Sequence, residues 1–74
     1  MVESNTIISD PKIMLGKPVI KGTRITVELV LRKLAEGMTV DQVISAYSQL
    51  TKANIYACLQ YASDTIANEE IITS

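Results

Sequence analysis

The sequence predicts a mainly α protein, three helices preceded by a short β arm. Three observations carry that prediction. Apolar residues recur at i, i+3, i+4 and i+7 in three successive segments, the spacing that lines one face of a helix. Each segment follows a threonine, Thr26, Thr39 or Thr51, whose hydroxyl can cap the free N–H groups of a first turn. Upstream, the β-branched runs Thr6-Ile7-Ile8-Ser9 and Val19-Ile20 are too short for helices and suit strands.

In chain order, residues 1–6 are polar and expected to fray. Residues 7–25 form the arm, in which the first strand ends at Asp10-Pro11 and Val19-Ile20 is the second. Strands this short are marginal alone, so they pair with each other or with their copies across a dimer, and the dimer is the preferred arrangement. Residues 26–66 form the helical bundle. The first helix starts after Thr26 with Glu28 favourably in its first turn, buries Val27, Val30, Leu31 and Leu34, and ends at Gly37. Leu29 falls off that stripe, which makes it either part of a wide core face or an exposed contact for another chain. Thr39-Val40-Asp41-Gln42 has the capping-box pattern, with Met38 placed to staple against Val43, and the second helix buries Val40, Val43, Ile44 and Tyr47. After a turn at Ser48-Gln49-Leu50, the third helix carries Ile55, Cys58, Leu59, Ala62 and Ile66 on one stripe. Residues 67–74 are an acidic and apolar tail, Ala-Asn-Glu-Glu-Ile-Ile-Thr-Ser.

A helix, a second short helix, a tight turn and a longer third helix make the order of a helix-turn-helix, which other three-helix bundles share. In the DNA-binding version the third helix enters the major groove, and its outward residues are Lys52, Asn54, Tyr56, Gln60 and Ser63. Asparagine and glutamine can read adenine. There is no arginine on this face and Asp64 lies close by, so base reading is poorly supported.

The basic charge lies upstream, in Gly16-Lys17-Pro18-Val19-Ile20-Lys21-Gly22-Thr23-Arg24-Ile25. Pro18 fixes its own φ and extends Lys17, while Gly16 and Gly22 can take positive φ, so the block is bent at two places. It is either a turn leading into the first helix or a shaped site in which Lys17, Lys21 and Arg24 grip phosphate. Together with the preceding Ile8-Ser9-Asp10-Pro11 and the later Ala-Glu-Gly-Met-Thr turn, this block resembles the small bacterial family known as domain of unknown function 433. The resemblance spans about residues 7 to 66. It implies an antitoxin-like protein with a helix-turn-helix of the homeodomain-like kind, paired with a nuclease-like toxin. Two positions depart from the pattern: Ser48 stands where a proline is frequent after the tyrosine, and Leu15 where a small residue is common.

Seventy-four residues make one domain with a small core, built without Phe or Trp, so self-association or a partner is expected. The net charge of −1 conceals a polarity. Residues 12–33 hold six basic residues against Glu28, a balance of +5, whereas residues 34–74 hold Lys52 against five acids, a balance of −4. Such a division is either ordinary solvated surface or suits an anionic partner at one end and a basic partner or a second copy at the other. The single Cys58 gives no intramolecular disulfide, no apolar run approaches the roughly 18 residues of a membrane span, and the first residues lack a basic signal region. A cytoplasmic protein is expected.

Catalysis is not expected. The absence of histidine removes the commonest general base near neutral pH and the commonest transition-metal ligand. Gly16-Lys17-Pro18 lacks the spacing of a phosphate-binding P-loop, and Asp10, Asp41 and Asp64 lie on separate elements. No cofactor, metal or small-molecule substrate is foreseen. The candidate nucleic-acid-binding residues are Lys17, Lys21, Arg24, Arg32, Lys33, Lys52 and Gln60, and the signature loop turns on Gly16, Pro18, Gly22 and Thr23. Leu29, Glu69, Glu70, Ile71 and Ile72 are the candidates for partner binding. The leading expectation is an antitoxin that dimerises, binds a nuclease-like toxin and binds DNA to regulate its own operon; the alternative is a homo-oligomeric interaction module with no nucleic-acid role.

Overall fold

The computed structural model describes residues 6–70, without the side chains of Glu69 and Glu70. Its elements are β1 (Ile7–Ile8), β2 (Val19–Ile20), α1 (Val27–Ala35), α2 (Val40–Ala46) and α3 (Lys52–Glu70). The expected class is therefore observed, mainly α with a small β arm. The two strands pair antiparallel within the chain, Ile7 opposite Ile20 and Ile8 opposite Val19, which corrects the preference for pairing across a dimer. Two-residue strands persist because Val19 and Ile20 are buried against the helices and because Val19 also bridges to Thr26 on its other side. The arm is thus welded to the bundle.

Each helix starts where its threonine places it. Thr26 Oγ1 accepts from Leu29 N at 3.0 Å. Thr39 Oγ1 accepts from Gln42 N at 3.1 Å while Thr39 N donates to Gln42 Oε1 at 2.8 Å, completing the capping box. Thr51 makes the same reciprocal pair with Asn54, at 3.2 and 3.0 Å, a box with asparagine in place of the usual Glu or Gln at the third position. α1 stops at Gly37, whose φ of 105° lets Met38 N reach back to Lys33 O at 3.2 Å.

Val27, Val30, Val43, Ile55 and Cys58 form the core as the spacing predicts, joined by Ile20 from the arm. Leu50 belongs there too, only 2 % exposed although it sits in the turn before α3. The predicted stripe of α3 fails beyond Cys58: Leu59 is 41 % and Ile66 58 % exposed. Among the described residues no element packs over Leu59 and Ile66, so the distal half of α3 keeps an apolar side uncovered. α3 also runs to Glu70, so residues 67–70 are helix rather than tail.

Candidate functional site

The signature block holds β2 and the tight loop that joins it to α1, with a charged tip. Thr23 closes it, donating from its N–H to Ile20 O at 3.0 Å and from its hydroxyl to the same oxygen at 2.8 Å. The hydroxyl in turn accepts from Ile25 N at 2.9 Å, and Ile20 N donates to Ile25 O at 3.0 Å. Gly22 is the third residue of the four-residue turn Ile20 to Thr23, with φ of 85°, the position at which such turns require glycine. Pro18 O accepts from Val27 N at 2.9 Å, tying the block to the first residue of α1. Upstream, Met14, Leu15 and Gly16 all have positive φ, at 49°, 59° and 84°. Lys21 and Arg24 are left exposed at the tip.

The seven candidate nucleic-acid residues fall into two groups. Lys17 Nζ lies 3.1 Å from Glu28 Oε1, and Arg32 pairs with the other oxygen of the same carboxylate. Lys33 lies 3.6 Å from Glu36, and Lys52 lies 3.8 Å from Asp41. The hydrogen bond from Lys17, helped by the charges of Lys17 and Arg32, holds the Glu28 carboxyl below its ordinary value. Gln60 donates its side-chain N–H to Asp64 at 2.9 Å, which occupies the amide a base reader would use. Among the described residues, Lys21 and Arg24 have no carboxylate within 4.0 Å. Arg24 lines an open hollow with Ile13, Gly22, Thr23 and Gln49. The free tip therefore lies beside the turn that joins α2 to α3.

The other candidates are scattered. Leu29 is half-buried. Glu69 and Glu70 are the last residues of α3, while Ile71 and Ile72 lie outside the described residues. Cys58 is fully buried and desolvation pushes its thiol up to about 11, the state of a core residue rather than a reactive one. Among the described residues, no helix is long and apolar enough to cross a membrane.

One feature escaped the reading of the sequence. An apolar groove runs between α1 and the distal half of α3, lined by Val27, Leu31, Ala35, Tyr61, Ala62 and Ile66, with the Glu28–Arg32 pair at its edge. The apolar periodicity was visible in both helices, but periodicity tells which face is apolar and not whether a neighbour reaches it.

Neither the curated proteins nor the solved structures contain a match to this chain. The family described as "Protein of unknown function (DUF433)" matches residues 7–62, from the first strand through the signature block and all three helix starts, and the chain belongs to that family.

Proposed function

We infer that this chain is a non-catalytic DNA-binding antitoxin whose nucleic-acid face is the tip of the signature loop. One observation carries the DNA part: Lys21 and Arg24 are exposed without carboxylate partners among the described residues, next to the α2–α3 turn, whereas Lys17, Arg32, Lys33 and Lys52 are each ion-paired. Unpaired cations on a rigid turn suit phosphate, which positions a protein on a duplex without reading sequence. The Gln60–Asp64 bond and the acidic character of α3 argue against insertion of that helix as a base reader. The antitoxin part comes from the family resemblance. In that role the protein works in the cytoplasm as a homodimer, and the acids and isoleucines at its C-terminal end engage a nuclease-like toxin.

Titration against a fragment of its own promoter at two salt concentrations tests the DNA part. Lys21→Ala and Arg24→Ala each weaken binding to every sequence and lower the salt dependence by about one unit of slope, as lost phosphate contacts do. Gln60→Ala is nearly silent. Strong loss of discrimination in Gln60→Ala, with Lys21 and Arg24 dispensable, would place the DNA face on the opposite side. The apolar groove favours a second reading, a self-associating module that needs no nucleic acid, and a wild type that binds no promoter fragment at either salt concentration would support it.

A further inference from the structure

We propose that the open hollow beside the signature loop is a phosphate seat: Gln49 and the main-chain N–H groups of Gly22 and Arg24 act with the Arg24 guanidinium on one backbone phosphate of DNA, and Lys12 is a further contact at the rim. The inference rests on the DNA part of the reading above and adds donors to the same face. Ile13, Gly22, Thr23, Arg24 and Gln49 line the hollow, whose volume of about 500 Å³ is ample for a phosphate group. None of the five is acidic. Three separate stretches meet there: the turn after β1, the loop after β2, and the turn between α2 and α3.

The donors at this hollow are unengaged. Among the described residues Gly22 N and Arg24 N have no acceptor, whereas the neighbouring amides of Lys21, Thr23 and Ile25 donate to Thr6 O, Ile20 O and Thr23 Oγ1. No atom lies within 4 Å of where a β-carbon of Gly22 would stand, so an anion can approach the main chain there. The Gln49 side chain is exposed and makes no hydrogen bond to the described residues, unlike Gln42 in its capping box and Gln60 on Asp64. Lys12 adjoins Ile13 and is exposed, and its ammonium has no carboxylate within 4.0 Å among the described residues. Asp10 Oδ1 instead accepts from Lys12 N at 2.9 Å, and Ile13 N donates to Asp10 O at 2.8 Å, which fixes the turn that presents the lysine. Main-chain N–H groups, a glutamine amide and cations are the donor set that grips phosphate. A neutral or cationic ligand would leave most of these donors without an acceptor.

The amide resonances of the isotope-labelled full chain test the seat, followed as its own promoter duplex is added and, separately, as inorganic phosphate is added against chloride at equal ionic strength. The Gly22 and Arg24 amides are expected to shift with DNA and with phosphate but not with chloride. In binding titrations at two salt concentrations, Gln49→Ala should weaken binding roughly three- to tenfold on every sequence with an unchanged salt slope, because the lost donor is neutral. Lys12→Ala should weaken binding and lower the slope by about one unit. Both side chains are exposed, so both variants should keep the wild-type thermal midpoint, and the amide readout needs no variant at all. DNA binding that requires Lys21 and Arg24 while the two amides stay unmoved and Gln49→Ala is silent overturns the seat and leaves the DNA reading in place. Amides that move with phosphate in a protein that binds no DNA support a seat for free phosphate or a phosphorylated small molecule, and overturn the DNA reading. Amides indifferent to both DNA and phosphate overturn the seat.

Discussion

Gly22 is constrained by its dihedral and not by space: φ is 85°, and no atom lies within 4 Å of where a β-carbon would stand. Gly22→Val should therefore destabilise the fold by about 1 kcal/mol or more through backbone strain, read as a lower thermal midpoint. An unchanged midpoint would show that the turn relaxes freely. Leu15 is the converse case, a leucine at φ 59° that is 93 % exposed and receives no packing in return. Asparagine tolerates that conformation better, so Leu15→Asn should raise stability by up to about 1 kcal/mol, or roughly 4–8 °C in a domain of this size. Glu28 has a pH signature. Its pKa is lowered in the folded protein by Lys17 first and Arg32 second, so its contribution is complete above the unfolded value of 4.5 and disappears as pH falls through the lower folded value. Glu28→Gln lacks this contribution, and its thermal midpoint should fall less than that of the wild type between neutral pH and acid.

At the scale of elements, the three helix starts were legible because a cap is local chemistry. Thr26, Thr39 and Thr51 each sit immediately before a helix, and each hydroxyl accepts from the amide three residues on. Thr51→Ala should cost about 1 kcal/mol, because it leaves the Asn54 backbone N–H without its acceptor. Circular dichroism melts would show it; a cost near zero would mean that α3 is held by packing alone. Elements whose fate depends on distant neighbours were not legible. The pairing of β1 with β2 inside the chain depends on Val19 and Ile20 finding a core, which two isolated dipeptides do not announce. Leu50 looked like a turn residue, yet it is swallowed between helices. Leu59 and Ile66 looked like core, yet no described element packs over them. The candidate site divided in the same way. Gly22 and Thr23 were readable from local rules, whereas which cations would be neutralised depended on Glu28, Glu36 and Asp41 arriving beside them.

At the scale of the molecule, the buried apolar residues of the described chain are Val19, Ile20, Val27, Val30, Val43, Leu50, Ile55 and Cys58, without a Phe or a Trp among them. A core of that kind leaves little stability once chain entropy is offset, and no disulfide adds to it. The groove between α1 and α3 is one apolar surface in the described structure that association would cover. Folding and association should then be coupled, so the thermal midpoint should rise with protein concentration, by roughly 3–6 °C for a tenfold change if the unfolded chains are monomeric. Ile66→Asp should abolish the concentration dependence while leaving a lower, constant midpoint. If the wild-type midpoint is itself independent of concentration across the micromolar range, the monomer is self-sufficient and its small core is packed well enough to stand alone.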